Sequence, residues 1–168
     1  LREIICQAGR PVLFLFAGKA HPADQPGQEI IRKIAQMAKL PEFEGRILLV
    51  EGYDLHLSRS LVAGVDVWLN PPIYPLEASG TPGMKAAMNG ALNLSVLDGW
   101  WAEAYDGGNG WAIDGETDHD HDAQDQRHAA ALYDLLEQQV VPLFQERTVD
   151  GIPAAWLTMV RQSLKTNG

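Results

Sequence analysis

Short apolar runs alternate along the chain with segments whose apolar residues recur at helical spacing. A continuous apolar run bounded by glycine, proline or polar residues is typical of a strand buried on both faces of a parallel sheet. The run at residues 11–16 predicts such a strand, residues 46–50 predict a second buried strand, and residues 65–69 and 92–97 predict a third and a fourth strand.

Helical periodicity fills the intervals between the predicted strands. We expect a helix tail over residues 1–8, an amphipathic helix over 28–40 after a loop at 22–27, and a short helix over 55–63 capped by Asp54. With a further helix starting near Thr81, strand and helix alternate in the order that is typical of an α/β fold. The prediction is therefore a Rossmann-like parallel sheet with flanking helices.

The amino-acid composition changes after residue 97. Residues 98–122 are rich in glycine, tryptophan and acidic side chains, and we expect a loop there with a short strand at 111–113. Residues 123–168 read as C-terminal helices, one over 123–146 that bends at Pro142 and one that starts at Pro153. We expect a single domain over residues 1–168, with its βαβ core at about 11–97.

Composition and charge exclude several classes of partner. The chain has 168 residues, 46% of them hydrophobic, which is enough for one core. A formal charge of −9 argues against nucleic acid and against an anionic membrane surface. No apolar run approaches the ~18 residues that span a bilayer. Cys6 stands alone, so no disulfide framework is possible within the chain, which fits a reducing cytoplasm.

One stretch, residues 77–90, combines a glycine-bearing loop with a helix start. Thr81 is a good N-cap, Pro82 suits the first turn, and Met84 and Met88 belong to an apolar stripe at helical spacing. Such a helix start suits anions and hydroxyl-rich ligands. Lys85 is either a solvated surface lysine or an amine kept for covalent chemistry with a carbonyl cofactor.

Three other features invite a functional interpretation. Lys19 follows the first predicted strand, at the sheet edge where α/β proteins bind ligands, although it can equally be a lysine leaving the sheet for solvent. The tryptophans at 100, 101 and 111 either bind sugar or pack the loop onto the body. The Asp118–Asp122 run has alternating acidic and histidine residues without a fixed ligand spacing, so we expect a solvated loop and no metal site.

The 77–90 stretch resembles the cofactor loop of the α-glucan phosphorylases, the family that acts on glycogen, starch and maltodextrin. The shared pattern is Glu-Ala-Ser-Gly-Thr, two small residues, Met-Lys, then Asn-Gly-Ala-Leu and Leu-Asp-Gly, ending here at residue 99. Phe-Ala-Gly-Lys-Ala at 16–20 and Glu-Gly-Tyr at 51–53 also agree. The runs at 65–70 and 98–101 resemble the bacterial branch, and the match covers most of the chain to about Trp101.

The resemblance implies pyridoxal phosphate as cofactor. Lys85 would bind it as a Schiff base. Its amine must lose a proton to do so, and burial against Met84, Met88 and the cofactor would promote that loss. Thr81 would reach the cofactor phosphate and Tyr53 would line its pocket. The family usually has Gly or Ser where Pro82 stands, so the N–H groups of Gly83 and Met84 would have to supply the missing donor.

The resemblance also implies the reaction. Orthophosphate would attack the terminal unit of an α-1,4-glucan and release glucose 1-phosphate, with Lys19 binding the substrate phosphate. Glu77 would accept hydrogen bonds from glucose hydroxyls, with Ser79 and Gly80 along the same edge. Animal enzymes have Arg after the tyrosine that corresponds to Tyr53, whereas this chain has Asp54. One cationic contact is therefore missing or comes from elsewhere.

The family resemblance implies that this chain is the C-terminal piece of a longer, cytoplasmic enzyme of the two-domain GT-B glycosyltransferase type. The N-terminal domain would complete the active site, so we expect the isolated piece to fold without turnover. Exposed terminal helices could drive homo-oligomerisation. The alternatives are a sugar-nucleotide-dependent GT-B transferase without pyridoxal phosphate and a non-catalytic carbohydrate-binding module that uses the tryptophans.

Overall fold

The computed structural model describes residues 2–6, 9, 11–116 and 120–167, and within them the fold is α/β with parallel sheets and flanking helices. The chain divides into two compact units, residues 1–58 and 59–168, which are described separately. The strands form two sheets, one in each unit, where the sequence predicted a single sheet. The predicted segments 11–97, 98–122 and 123–168 of one domain stay predictions.

The first unit contains a two-stranded parallel sheet. Its elements are α1 (Arg2–Ile5), β1 (Phe14–Ala17), α2 (Gln25–Met37) and β2 (Ile47–Val50). Phe14 pairs with Ile47 and both are buried, whereas Leu15 pairs with Leu48 and both are exposed. The expectation that these strands are buried on both faces is therefore wrong for this sheet, since only alternate side chains are covered. Of the predicted helix tail over 1–8, residues 1, 7 and 8 lie outside the described part.

Helix α2 begins three residues before its predicted start. Asp24 is its N-cap and accepts a hydrogen bond from the Gly27 N–H at 2.9 Å, and Pro26 lies in the first turn. Proline is tolerated there because first-turn N–H groups have no partner within the helix. The loop predicted over 22–27 is therefore too long, because residues 25–27 already belong to the helix.

Helix α3 (Leu55–Gly64) contains the boundary between the two units. The predicted cap is confirmed, because the Asp54 side chain accepts a hydrogen bond from the Leu57 N–H at 2.8 Å. On the side of the second unit, Val62 is buried in a small apolar cluster with Ala86 and Ala91.

The second unit is built on a three-stranded parallel sheet in the order β3-β4-β5. The strands are β3 (Val67–Asn70), β4 (Leu92–Val96) and β5 (Gly110–Ile113), and β5 confirms the short strand predicted at 111–113. All five residues of β4 are buried, including the polar Asn93 and Ser95, and the strand predicted at 92–97 is confirmed.

The helices of the second unit flank this sheet: α4 (Thr81–Met88), α5 (Trp100–Ala104), α6 (His121–Leu135), α7 (Val141–Gln145) and α8 (Ala154–Asn167). A π-helical turn, Leu136–Val140, joins α6 to α7, where one bent helix was predicted. The Val141 N–H donates to the carbonyl of Leu136, five residues back. The wide turn comes immediately before Pro142, whose ring and missing N–H are incompatible with a regular helix interior. Within the described residues, no helix combines the length and apolarity needed to cross a membrane.

The predicted terminal helix α8 packs through an aromatic contact. Trp156 is buried, with its ring centroid 5.8 Å from that of Trp111 and 4.9 Å from that of Phe144, the latter edge-on. Leu164, predicted to lie on the same packing face, is largely exposed. Further along α8, Ser163 is also buried, so the helix packs beyond its aromatic end as well.

We predict that truncation of Leu94, at the centre of β4 and 1% exposed, destabilises the protein by about 2–5 kcal/mol in Leu94→Ala, since it loses apolar burial and leaves a cavity. Urea unfolding followed by circular dichroism measures this free energy. The matched control is Leu55→Ala, at a leucine that is 83% exposed, where a change within about 0.5 kcal/mol is expected. Equal losses for the two variants would contradict the central position of β4.

Candidate active site

The loop over residues 77–80 is tied to the ends of two neighbouring strands. Asn70 is the last residue of β3, and its side-chain Nδ2 donates to Oε2 of Glu77 at 3.1 Å. The Ser95 hydroxyl, in β4, donates to the Asn70 carbonyl at 2.7 Å. Because carboxyl ends of parallel strands meet at one edge, these two strands together present the Glu77 carboxylate.

Asp98 fixes the backbone of the same loop. It lies just after β4, and its two carboxylate oxygens accept hydrogen bonds from the N–H groups of Glu77 (2.9 Å) and Gly99 (2.8 Å). The Trp100 N–H in turn donates to the Ser79 carbonyl at 2.9 Å. The loop before α4 and the turn after β4 are thus joined through both side chain and backbone.

Gly80 is the residue at which the loop ends and helix α4 begins. It is the N-cap, with a φ of 89°, and a Cβ built on it would lie 2.5 Å from Cδ1 of Trp100. Only glycine satisfies both constraints. The prediction of Thr81 as N-cap is wrong, because Thr81 is the first helical residue and no side chain caps this helix, while Pro82 does lie in the first turn.

The first-turn amides of α4 are engaged within the helix start. The N–H groups of Gly83 and Met84 both donate to the Gly80 carbonyl, at 3.0 and 3.3 Å. The Gly83 carbonyl accepts a hydrogen bond from Nδ2 of Asn93 in β4 at 3.2 Å. Both N–H groups thus already have an acceptor, and their expected role as donors to a cofactor phosphate stays a prediction. Ser79 and Thr81 are exposed nearby, and their hydroxyls are the other donors of this segment.

Lys85 lies on the exposed side of α4. Met84 and Met88, expected to shield it, are 38% and 51% exposed. The buried face of the helix carries Gly83, Ala86 and Ala87 instead. The two methionines therefore do not bury the amine, because the small residues of α4 make the closer approach to the body, and shielding of the amine by the cofactor stays a prediction.

The Lys85 amine is not held by a carboxylate. The two side-chain ion pairs found in the part of the chain that the structure describes, Arg2–Glu42 and Arg32–Glu29, do not include it. One short segment therefore presents a primary amine, the hydroxyls of Ser79 and Thr81, and the half-buried Glu77 carboxylate. This set can bind a polyhydroxyl ligand and can attack a carbonyl carbon.

Two further predicted site residues belong to the first unit. Lys19 is exposed and follows the carboxyl end of β1, the position predicted from the sequence. Tyr53 is half-buried, and its hydroxyl donates to the Ser58 hydroxyl at 3.3 Å. Their placement relative to Lys85 stays a prediction.

Sequence reasoning assigned no role to Asn70 and Asp98, which hold the 77–80 loop, or to Asn93, which bonds to the first turn of α4. Asn70, Asp98 and Asn93 are polar residues within or next to apolar strands, which is the signal that could have found them. A buried polar residue in such a strand needs a partner, and the partner is usually a loop at the sheet edge.

The acidic run after β5 is partly described. Asp118 and His119 lie outside the described residues. Asp120 is the N-cap of α6 and accepts hydrogen bonds from the N–H groups of Asp122 and Ala123, so the helix starts earlier than the predicted residue 123. Residues 120–122 therefore form a helix start where a solvated loop was expected. No group of three or more histidine, cysteine or acidic residues suited to a metal occurs among the described positions.

The tryptophans of the 98–122 segment mainly serve packing. Trp101 is completely buried and its Nε1 donates to the Trp111 carbonyl at 3.1 Å, while Trp111 is itself buried. Neither indole offers a face to a sugar. Trp100 is half-buried, with its ring against Gly80 and Gly83.

Comparison with known proteins identifies similar chains. The family model described as carbohydrate phosphorylase matches residues 3–141. A glycogen phosphorylase of Aquifex aeolicus is 52% identical over 167 residues, covering 99% of this chain and 24% of that protein. A maltodextrin phosphorylase of Thermococcus litoralis is 48% identical over 99% of this chain and 20% of its own length. A glycogen phosphorylase of Mycobacterium bovis is 48% identical over the whole chain and 20% of its own length. This chain thus spans about a fifth to a quarter of the relatives it matches.

We predict that Gly80→Ala destabilises the second unit by at least about 1 kcal/mol more than Gly45→Ala does. Both glycines have positive φ values, 89° and 71°, so both variants incur similar backbone strain. A Cβ at Gly45 meets nothing within 4 Å, whereas one at Gly80 collides with Trp100. Urea unfolding of the two variants measures the difference, and equal losses would show that the indole contact adds nothing.

Proposed function

Because this chain belongs to the carbohydrate phosphorylase family, we propose that it supplies part of the active site of an α-glucan phosphorylase. In that reaction orthophosphate cleaves the terminal α-1,4-linked glucosyl unit of a glucan and releases glucose 1-phosphate. The observation that carries the proposal is the Glu77–Lys85 segment. Asn70 and Asp98 hold it at one sheet edge with its amine and hydroxyls exposed.

The Glu77 carboxylate is the proposed sugar-binding group. One of its oxygens already accepts the Asn70 amide, so its orientation is set before any ligand arrives. Glucose hydroxyls would donate to this carboxylate, and Ser79 and Gly80 would contact the sugar along the same edge. A preoriented carboxylate also stabilises positive charge that develops on the sugar ring in the transition state.

Lys19 is the proposed ligand of the substrate phosphate. Its exposure after β1 leaves the ammonium group accessible, and its charge complements a phosphate anion.

The residues present fit pyridoxal phosphate as the cofactor. Its carbonyl needs an accessible primary amine, which Lys85 offers one turn into α4, and its phosphate needs hydroxyl donors, of which Thr81 is exposed beside it. Gly83 at the helix start and Tyr53 would complete the binding residues. When bound, the cofactor supplies a phosphate group that exchanges a proton with the substrate phosphate.

The rest of the active site is proposed to come from the parts of the relatives that this chain does not match. We propose that the chain forms the C-terminal half of a GT-B architecture, so that an N-terminal domain covers Lys85 and provides the opposite wall of the glucan site. The exposed position of Lys85 supports this, because an amine that reacts with a carbonyl at neutral pH needs shielding to lose its proton. Cytoplasmic location and self-association through the terminal helices belong to the same proposal.

Neither alternative function is favoured by a specific observation. A carbohydrate-binding module based on the tryptophans is disfavoured because Trp101 and Trp111 are buried. A sugar-nucleotide-dependent transferase would use the same fold without the cofactor, and cofactor uptake separates the two enzymes.

We predict that Lys85→Ala abolishes both cofactor absorbance and glucose 1-phosphate release in the full-length protein that contains these residues. The amine is the only group on this segment that can bond to the cofactor carbonyl. Absorbance spectroscopy and a coupled assay with glucan and phosphate measure the two effects. Lys165→Ala, at an exposed lysine on α8, is the matched control and should keep both. A parent protein that takes up no pyridoxal phosphate would favour the transferase.

We also predict that residues 1–168 expressed alone fold cooperatively but release no glucose 1-phosphate from glucan and phosphate. Circular dichroism during thermal unfolding tests the first statement, and the coupled assay tests the second. Turnover by the isolated chain would show that the opposite wall of the site is dispensable.

A further inference from the structure

We infer that Asn70 is a positioning residue for sugar recognition, acting through the Glu77 carboxylate. This inference rests on the proposed function, since it assigns the orientation of a carboxylate whose ligand is a glucose unit. Nothing in the sequence pattern or in the comparisons assigns Asn70 a role.

The Asn70 amide is itself rigidly placed. Its residue pairs with Ser95 in the β3-β4 register, and Ser95 is 1% exposed. The Ser95 hydroxyl donates to the Asn70 carbonyl at 2.7 Å, and Nδ2 of Asn70 lies 3.4 Å from the same hydroxyl. The amide is therefore anchored to the buried centre of the sheet while it reaches Oε2 of Glu77.

The backbone and the carboxylate of Glu77 are held by different residues. Asp98 accepts the Glu77 N–H, and the Trp100 N–H donates to the next part of the loop at Ser79. Loss of the Asn70 amide would leave these backbone contacts in place. A change at Asn70 should thus release the carboxylate without releasing the loop, which distinguishes positioning from general stabilisation.

Asn70→Asp is the sharpest substitution, because it keeps the shape of the side chain and replaces the donor by a carboxylate. Two carboxylates at this separation repel each other, so Glu77 would turn away from its present orientation. A hydrogen bond to a charged group has a large effect, so glucose 1-phosphate should bind at least about tenfold more weakly.

The test is a double-mutant cycle in the full-length protein, with glucose 1-phosphate binding measured by isothermal titration calorimetry. The variants are Asn70→Asp, Glu77→Ala and both together. If Asn70 acts through Glu77, the double variant binds no more weakly than Glu77→Ala alone. Asn70→Gln retains an amide donor and should recover most of the affinity lost in Asn70→Asp.

Asn167→Asp is the matched control. Its amide donates to the Ser163 carbonyl at the end of α8, so the same chemical change is made away from the site and should leave affinity unchanged. Thermal unfolding midpoints identify any variant that loses its fold, and affinities are compared among the folded variants.

The outcomes distinguish failure of the positioning role of Asn70 from failure of the proposed function. If the parent protein binds glucose 1-phosphate and Asn70→Asp binds it equally well, or if the two losses add in the double variant, the positioning role is overturned. If the parent neither binds glucose 1-phosphate nor releases it from glucan, the proposed function itself fails.

Discussion

Strand β4 is hydrogen-bonded on both edges and buried on both faces, and the second unit is organised around it. Its neighbours β3 and β5 are fixed in register by the same backbone bonds. The helix that carries Lys85 packs against it through glycine and alanine, and the Asn93 side chain, within the strand, bonds to that helix. Because β4 cannot shift without breaking these pairings, the segments that leave the strand ends inherit a defined position.

The candidate site places exposed functional groups on a loop and helix that are fixed to the sheet. The 77–80 loop is held by polar side chains at the ends of β3 and β4. Glu77 is half-buried, while Ser79, Thr81 and Lys85 are exposed. The amine and the hydroxyls are therefore accessible to a ligand, while the carboxylate keeps a fixed orientation.

The positions of β1 to β4 could be predicted from the sequence, because each predicted segment is mostly apolar. The extent of burial could not, since the apolar β1 is only partly covered whereas β4 is buried throughout although it contains Asn93 and Ser95. The start of α2 was missed since Pro26 was interpreted as part of a loop. The buried face of α4 was predicted only in part, because the expected apolar stripe combined Ala87, which is buried, with Met84 and Met88, which are exposed. The hydrogen bond between Asn70 and Glu77 depends on how close the loop returns to the end of β3. That separation cannot be predicted from the residues between them.

The contact between Trp100 and the two glycines at the start of α4 has an evolutionary consequence. A Cβ at Gly83 would lie 2.8 Å from Oδ1 of Asn93 and 3.1 Å from the indole nitrogen, so the volume at position 83 is already occupied by its neighbours. A smaller residue at position 100 would therefore not be enough to admit a side chain at either position, because Gly80 keeps its positive φ and the Asn93 amide still faces position 83. We expect position 80 to remain glycine in homologous chains whatever residue stands at 100, and a side chain at 83 to require a change at 93 as well.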